Sequence, residues 1–259
     1  MPANTALAIE PSDTGAATAS QSQSIKAQLR LREMIFGGEL PGGTRIAELT
    51  IVDKLGISRT PIRAALMRLE QEGLIDALPN GGYAVKTLSE RDVADSIELR
   101  GTLEGLLARL AAERGAPPVL MAEAREVLAG IDALLLPSAL DDDAFSRYVT
   151  LNERFHALLA EMAGSDVITR QLERVVSLPF ASASAFVVVQ ANSPAARDML
   201  VVAQDQHGQV LDAIALREGS RAEALMREHS RHAKRNLSQA IKNPNATQLP
   251  GVRLIRRRA

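Results

Sequence analysis

The sequence contains no cysteine and no tryptophan, and only five phenylalanines and two tyrosines among its 259 residues. The lack of cysteine excludes disulfide bonds and metal sites built on thiolates. No uninterrupted run of about 18 apolar residues occurs, so the sequence predicts no transmembrane helix. The N-terminus has neither the basic region nor the apolar run of a signal peptide, and we therefore expect a cytoplasmic protein.

The composition favours packed helices. Hydrophobic residues make up 46% of the chain, and alanine and leucine, which dominate among them, are strong helix formers. The length is enough for two modest domains. The formal net charge of −1 argues against a protein that binds nucleic acid indiscriminately. Any affinity for DNA must therefore depend on where the basic residues lie.

The segment from residue 55 to residue 66 predicts a tight turn followed by a helix. Gly56 is typical of the residue just past a helix end, and Ser58 is a good N-cap for the helix that follows. Pro61 fits the first helical turn, where a missing backbone N–H costs little. An apolar face then recurs at helical spacing: Ile62, Ala65, Leu66 and Leu69. Two short helices joined in this way are typical of a helix-turn-helix.

Two short strands are predicted directly after this helix, at residues 74–78 and 83–86. The sequence Pro-Asn-Gly-Gly at 79–82 separates them, and Asn-Gly is a strong signal for a hairpin turn. A helix-turn-helix followed by a hairpin is a winged helix. Arg59 and Arg63 are four residues apart and so share one face of the helix. On that face they either contact DNA or form an ordinary solvated surface.

Residues 25–87 resemble the N-terminal domain of GntR-type bacterial transcription regulators, specifically of the FadR subfamily. The matching motifs follow one another nearly without gaps: Leu-Arg-Glu-Met-Ile at 31–35, Gly-Gly-Glu-Leu-Pro-Gly-Gly at 37–43, the turn and helix at 55–63, and Arg-Leu-Glu-Gln-Glu-Gly-Leu-Ile at 68–75. The resemblance implies a homodimeric regulator that binds double-stranded operator DNA, with two winged helices on the two halves of a palindromic site.

The resemblance also implies which residues contact the operator. Bases and phosphates would be contacted by four positions at the start of the second helix: Ser58, Arg59, Thr60 and Arg63. The minor groove would be reached by the tip of the wing: Asn80, Gly81 and Gly82. One departure is an arginine that some members place at the start of the preceding helix. Its position here is Leu49, so we expect that contact to be absent.

We expect four segments along the chain. Residues 1–23 are rich in Ala, Ser and Thr without basic residues, which predicts disorder, and residues 24–88 form the winged helix. Residues 89–242 form an all-α antiparallel helical bundle, and the sequence Ser-Glu-Arg-Asp at 89–92 predicts a capping box at its start. Residues 243–259 form a basic tail, which either contacts DNA phosphates or is a disordered end; we expect the latter.

No strand is predicted after residue 87. The helices expected in the bundle, given by approximate bounds, are 89–114, 119–135, one from the acidic run at 141–143 to 162, 166–177, 180–190, 194–217 and 220–241. The fold class predicted is therefore mostly α, with a small β-hairpin wing on the N-terminal domain.

The sequence has only four histidines, all of them in the predicted bundle. Asn152 and His156 are four residues apart and thus lie on one face of a helix, whereas His207 and His229 lie on later helices. A bundle can bring such faces together in a metal site. Three imidazoles with an amide oxygen suit Zn²⁺, Ni²⁺ or another divalent ion. The alternative is that these are scattered surface or core histidines.

Residues 93–241 look like the FadR C-terminal domain, the helical effector domain found beside this winged helix. Many members of one subgroup carry a metal site. Its ligands are an Asp or Asn, a His four positions later, and two more histidines on later helices. The match implies that the metal ligands here are Asn152, His156, His207 and His229. Asn in place of Asp removes a negative charge, which should weaken metal binding. His232 matches no ligand position.

Arg100 lies on the first helix of the bundle, at a position that resembles a common arginine of these regulators. A guanidinium pairs with a carboxylate through two parallel hydrogen bonds, so the resemblance implies a role in binding an anionic effector. The alternative is a structural salt bridge to Glu104, one turn later.

We expect a transcription regulator that is controlled by a small carboxylate bound in a metal-containing pocket. The resemblance implies a repressor, because repression is the commoner behaviour in the family. The alternatives are a regulator that senses the metal ion itself and a metal-dependent enzyme. No catalytic residue is predicted, because no general base other than Glu153 or Glu228 lies beside the expected ligands in the sequence.

Overall fold

The computed structural model describes residues 14–137, 141–184, 196–242 and 254–256. The N-terminal part combines three helices with a small antiparallel sheet in the strand order β1-β3-β2. Its elements are α1 (Thr14–Phe36), β1 (Arg45–Ile46), α2 (Glu48–Leu55), α3 (Arg59–Gln71), β2 (Ile75–Ala77) and β3 (Tyr83–Val85). This is the predicted winged helix-turn-helix.

The turn between α2 and α3 forms as the sequence predicts. Gly56 adopts the left-handed conformation with a φ of 64°, and its N–H donates to the carbonyl of Val52 at 2.9 Å, which closes α2. Ser58 occupies the N-cap position of α3 in an extended conformation, but its hydroxyl makes no capping hydrogen bond. The predicted apolar face of α3 is fully buried: Ile62, Ala65, Leu66 and Leu69. Burial of this face fixes which side of α3 points to solvent.

The hairpin of β2 and β3 is the predicted wing, with Asp76 opposite Ala84. Gly81 and Gly82 have φ angles of 83° and 82°, a region that glycine enters without steric cost. The N–H of Gly81 donates to the carbonyl of Leu78 at 2.9 Å and closes the turn. Local turn chemistry therefore shapes the tip.

Helix α1 begins at Thr14, so the prediction of disorder for residues 1–23 is wrong for residues 14–23. Alanine-rich sequence extends a helix at little conformational cost, and the helix is anchored further on by the buried residues Leu31 and Met34. Residues 1–13 of the predicted segment lie outside the described residues.

The C-terminal part is a bundle of helices joined largely by short connections. Its helices are α4 (Glu90–Arg114), α5 (Pro118–Leu135), α6 (Asp142–Ala163), α7 (Asp166–Val176), α8 (Ala196–Ala215) and α9 (Gly219–Lys242). Helix α4 packs on α9, α6 and α7, and α5 packs on α6 and α8. Phe155, Leu158 and Val210 lie in the fully buried core of this bundle. The predicted mostly-α fold class is confirmed.

The predicted capping box at the start of α4 is also present. The hydroxyl of Ser89 accepts a hydrogen bond from the backbone N–H of Asp92 at 3.0 Å, and the Asp92 carboxylate accepts one from the backbone N–H of Ser89 at 3.2 Å. Helix α4 therefore begins directly after the winged helix, with no flexible linker between them.

Helices α4 and α9 pack unusually closely because α4 carries glycines on the shared face. A Cβ atom added at Gly101 would lie 2.0 Å from the Oγ atom of Ser230, and one added at Gly105 would lie 3.0 Å from the carbonyl oxygen of Glu223. These glycines bring the neighbouring residues Arg100 and His229 to the same helix interface.

The helix predicted over 180–190 is not formed in its described part, since residues 180–184 are turn and bend. Phe180 has a positive φ of 63°, which is incompatible with a right-handed helix. Its ring packs edge-on against Phe36 with a centroid distance of 6.0 Å. This contact between the two halves of the chain outweighs the local helical pattern, and residues 185–190 lie outside the described residues.

The prediction of a disordered basic tail is wrong for residues 254–256. Strand β5 (Ile255–Arg256) pairs in parallel with β4 (Leu88–Ser89), so the expectation of no strand after residue 87 is also wrong. Leu254 is 2% exposed and Ile255 7% exposed. These two apolar residues sit between arginines in the sequence, where the surrounding charge hid them from pattern analysis. The rest of the tail lies outside the described residues.

Candidate functional site

The residues predicted to contact DNA lie together at the N-terminal end of α3. Ser58, Arg59, Thr60 and Arg63 are all exposed, while the opposite face of α3 is buried. The N-terminal end of a helix also presents free backbone N–H groups and a partial positive charge, which suit phosphate. The geometry fits a recognition helix that approaches DNA with its first turn.

Arg63 is already held by a partner that the sequence analysis missed. Its Nε and Nη2 atoms donate to the two carboxylate oxygens of Glu48, at the start of α2, each at 3.2 Å. The Arg63 side chain remains 65% exposed. A two-point contact of this kind restricts the guanidinium plane, so Glu48 orients the group that would read the DNA. The only sequence signal was an acidic residue in the first turn of a helix.

The wing tip also gains a basic residue that the sequence analysis missed. Asn80 and Gly81 are exposed and Gly82 is half-buried. The Nη2 atom of Arg45, on β1, donates to the carbonyl of Gly81 at 3.2 Å. Pairing of β1 with β3 therefore places a positive charge at the tip, where phosphates would be contacted.

The predicted histidine cluster forms in the bundle. His156 on α6, His207 on α8 and His229 on α9 have candidate ligand nitrogens within 4.8 Å of one another. Their exposures are 6%, 0% and 8%. These residues are separated by up to 73 positions in the sequence, and packing of three helices brings them together. The alternative of scattered histidines is therefore wrong for these three.

The neighbours of two of these histidines orient their rings, whereas the Nδ1 atom of His229 has no hydrogen-bond partner. The Nδ1 atom of His156 lies 2.8 Å from Oε1 of Glu104, which leaves its Nε2 atom buried and without a hydrogen-bond partner. The Nδ1 atom of His207 lies 3.2 Å from Oε1 of Gln204, an acceptor that requires a proton on Nδ1. A carboxylate or carbonyl oxygen on one ring nitrogen typically directs the other toward a metal.

The spacing of the free nitrogens suits a metal. The Nε2 atoms of His207 and His229 are 3.1 Å apart. Zinc–nitrogen bonds of about 2.0–2.1 Å place two ligand nitrogens about 3.3 Å apart at a tetrahedral angle and about 2.9 Å apart at a right angle. A hydrogen bond between the two rings would satisfy the same distance, but it would leave the Nε2 atom of His156 unpaired. The donor set therefore fits a divalent metal better.

Electrostatics keeps two of these rings neutral. Burial, followed by the neighbouring histidines, holds the pKa of His207 and that of His229 well below the ordinary value for histidine. Neutral imidazole is the form that binds metals. His232 lies outside the cluster, half-buried, with its ring centroid 6.2 Å from that of His229, which fits the expectation that it is not a ligand.

Asn152 lies one helical turn before His156 and is 3% exposed. Its Nδ2 atom donates to Oγ of Ser184 at 3.2 Å, which leaves Oδ1 as the atom of the amide that could bind a cation. Asn152 and His229 line a common cavity of about 30 Å³. The predicted fourth ligand is thus next to the histidine cluster.

Arg100 lines the same cavity and is 2% exposed. Its Nε atom is 3.5 Å from Oε2 of Glu104, so the alternative of a salt bridge is confirmed. The pair does not satisfy the guanidinium, because the Nε and Nη1 atoms have no hydrogen-bond partner. An unpaired buried donor is costly, and an anionic acceptor beside either atom would lower that cost.

A larger cavity of about 530 Å³ opens on the other side of His156, along α6 and α7. Besides apolar groups, its lining carries five carboxylates: Glu104, Glu153, Glu161, Asp166 and Glu173. Negative walls disfavour an anion. This lining therefore suits an anion less well than the Arg100 side of the cluster does.

A winged helix joined to a helical bundle is the architecture of a DNA-binding regulator with a separate helical domain. Residues 23–85 match the family of bacterial regulatory proteins of the gntR family, and residues 95–232 match the FCD domain. The second match alone covers more than half of the chain. The chain therefore belongs to the GntR family of bacterial transcription regulators, with an FCD domain. Proteins of this family are DNA-binding regulators and not enzymes.

Two relatives illustrate the range of similarity. The chain is 29% identical to the HTH-type transcriptional repressor GlaR of Escherichia coli strain K12 over 201 residues, which are 77% of this chain and 88% of GlaR. It is 29% identical to the HTH-type transcriptional regulator YdhC of Bacillus subtilis strain 168 over 149 residues, 58% of this chain. That match spans 64% of YdhC, less than two thirds of its length.

The fold is also shared with a solved structure, that of E. coli McbR/YncC. The TM-score is 0.60 at 19% sequence identity, and the similarity covers 84% of this chain and 97% of that one. Similarity at this level of identity supports the fold alone. None of the helices in the described part of the chain is long and apolar enough to cross a membrane.

Proposed function

We propose that this protein is a cytoplasmic repressor that binds operator DNA as a homodimer and is controlled by a small carboxylate held in a metal-containing pocket. The observation that carries the proposal is one buried cluster in which three histidine nitrogens converge next to a guanidinium with two unpaired donors. We infer repression because the relative GlaR is named a repressor.

His156, His207 and His229 would hold the metal, with Oδ1 of Asn152 as a fourth ligand. A divalent ion such as Zn²⁺ or Ni²⁺ would supply a positive centre that attracts carboxylate oxygens. Glu104 keeps the Nδ1 side of His156 engaged at 2.8 Å, so that its Nε2 atom stays available. Asn152 provides no negative charge, and we therefore expect weaker metal binding than with an aspartate at this position.

Arg100 would bind the carboxylate of the effector. Its Nε and Nη1 atoms have no hydrogen-bond partner, and a charge-assisted hydrogen bond from either atom to a carboxylate would be strong. The cavity beside it is about 30 Å³, close to the volume of one water molecule, so it has room for little more than the carboxylate group itself. Arg100 and Glu104 both lie on α4, the helix that follows the wing, so binding at this site acts on the helix nearest to the DNA-binding part.

The winged helices of two protomers would bind the two halves of a palindromic operator. Ser58, Arg59, Thr60 and Arg63 would contact the major groove, and Arg45 with the wing tip would contact the adjacent backbone and minor groove. A coupling of about 1–3 kcal/mol between the effector and the operator would change operator affinity by about 5-fold to 150-fold.

The second candidate is a regulator that senses the metal ion itself. The observation in its favour is the 3.1 Å separation of two buried Nε2 atoms, which needs no organic ligand to explain it. The two candidates differ in whether a metal-loaded protein still responds to an added acid.

The test is an operator-binding assay on a duplex selected from random DNA with the wild-type protein. Chelator, then Zn²⁺, then individual sugar acids and dicarboxylates are added in turn. Under the proposal, an acid changes operator affinity only in the metal-loaded protein. The response should vanish in His207→Ala and persist in the control Val202→Ala, an exposed position on the same helix. A response to metal alone favours the second candidate, and an acid response that survives in His207→Ala contradicts the metal-containing pocket.

A further inference from the structure

The C-terminal segment at residues 254–256 is built into both halves of the molecule. Leu254 belongs to the buried core of the winged helix, together with residues of α1 and α3. The next residue, Ile255, belongs to a different buried cluster, which we name the junction cluster: Leu88, Val93, Ile97, Phe180, Ala233, Leu237 and Ile255. Two consecutive side chains thus fill two separate cores.

The backbone of this segment is also paired. Ile255 lies opposite Leu88, and Arg256 lies opposite Ser89, in a parallel arrangement. Residues 88–89 are the connection between the wing and α4. The segment therefore covers the one covalent link along which the winged helix could swing relative to the bundle.

The junction cluster shares its helices with the candidate ligand site. On α4, Ile97 lies one turn before Arg100, and on α9, Ala233 lies one turn after His229. The two helices are locked together at Gly101 and Ser230, where no additional atom fits. A shift of α4 against α9 at the ligand site would therefore move the surface on which Ile255 packs.

We propose that residues 254–256 form a clasp that holds the winged helix against the helical bundle and through which the ligand site controls the orientation of the winged helix. The holding role is independent of the proposed function, whereas the control rests on it. This role also accounts for the presence of an apolar pair inside an otherwise basic tail.

The first experiment compares hydrogen exchange in the full-length wild-type protein, in Ile255→Asp and in Arg258→Ala. The two substitutions change the net charge equally, but only the first places a charge in the junction cluster. We expect Ile255→Asp to speed exchange at least tenfold in residues 88–97 and 233–237 while the bundle core around Phe155 keeps its protection. The milder Ile255→Ala should do the same to a smaller extent if Ile255→Asp fails to fold.

Equal exchange in Ile255→Asp and the wild type would overturn the clasp, because the segment would then not be docked in solution. The same variants are next compared for operator affinity. We expect Ile255→Asp to bind the operator at least fivefold more weakly with an unchanged salt dependence, because a loosely held winged helix must be ordered on binding. Arg258→Ala should remain within twofold of the wild type.

If the tail instead contacts DNA phosphates, we expect a different pattern of operator affinities. Arg258→Ala would then weaken binding as much as Ile255→Asp and reduce the salt slope by about one unit. That outcome would overturn the clasp as the determinant of operator affinity.

Control of the winged helix by the ligand site is tested with Zn²⁺ as the probe. We expect zinc to slow exchange around His207 and to change it at least twofold at residues 88–89 and 254–256. A zinc effect confined to the histidine segments would overturn the control while leaving the proposed metal site intact. No zinc effect anywhere would contradict the proposed metal site, and the Ile255→Asp comparison would still decide whether the clasp exists.

Discussion

Replacing Gly101 by alanine should force α4 and α9 apart. The added Cβ would lie 2.0 Å from the Oγ atom and 2.4 Å from the Cβ atom of Ser230, whereas non-bonded carbon atoms are comfortable at about 3.5–4.0 Å. Ser230 is 3% exposed, so its side chain has no solvent-filled space to move into. The overlap must be relieved by a shift of the helices themselves.

The magnitude follows from two opposing effects. Overpacking of a well-packed interior costs about 1–3 kcal/mol. Alanine is also about 1 kcal/mol better than glycine inside a helix, which offsets part of that cost. We therefore expect Gly101→Ala to lower the free energy of unfolding by up to about 2 kcal/mol.

A second substitution at the contact provides the control. Ser230→Gly removes both clashing atoms and leaves only the Cα atom, at 4.0 Å from the new Cβ. In the background of Gly101→Ala it should restore stability to within about 0.5 kcal/mol of the wild type, because the helix preferences of the two changes nearly cancel. The double-mutant cycle should then give a coupling of about 1–3 kcal/mol.

The assay is urea unfolding of the four proteins, followed by circular dichroism. A Gly101→Ala variant as stable as the wild type, with a coupling below about 0.5 kcal/mol, would refute the close approach of α4 and α9. The same variant should also weaken zinc binding, because Arg100 and His229 are the neighbours of the two substituted positions. Loss of stability without any loss of zinc affinity would mean that the close packing of α4 and α9 does not control the metal site.

Three further predictions concern single groups. Arg63→Ala should weaken operator binding by about 1–3 kcal/mol, measured by anisotropy, and an unchanged affinity would remove Arg63 from the recognition set. Glu104→Gln should lower zinc affinity by about tenfold to 100-fold, measured by competition with a chelator; equal affinity would mean that Glu104 does not orient His156. In chelator, stability should fall as pH decreases below about 6.5, since the lowered pKa values of His207 and His229 let the unfolded chain take up more protons. The slope should approach about 2.7 kcal/mol per pH unit for two groups and halve in His207→Gln, whereas a flat profile would contradict their burial as neutral rings.

Local signals in the sequence were sufficient to predict the turns of the DNA-binding part and the start of α4. Gly56 at a helix end, Gly81 and Gly82 in a hairpin and Ser89 at a helix start each act within a few residues of the chain. Their conformations are set by backbone sterics and short-range hydrogen bonds, which is why the turn, the wing and the capping box formed as predicted. The helix predicted from residue 180 failed because Phe180 is held by a distant contact with Phe36.

The partners of the functional side chains could not be predicted from the local sequence. Glu48 holds Arg63 across 15 positions, and Glu104 holds His156 across 52. Such pairs form only once helices pack, and nothing in the local sequence marks one acidic residue as a partner rather than a solvated charge. The role of residues 254–256 was missed for the same reason, because an apolar pair has no visible function until two cores exist to receive it.

The sequence by itself determined most of the helices, the hairpin of the wing, the exposed face of α3 and the residue types available for a metal and an acid. These follow from short-range preferences and from the periodicity with which apolar residues recur. The tertiary structure decided that three histidines converge, that Arg100 keeps two unpaired donors beside them and that the C-terminal segment joins the two halves. Each of these features depends on the distance between helices. Side-chain packing sets that distance, and it cannot be read from any single stretch of the chain.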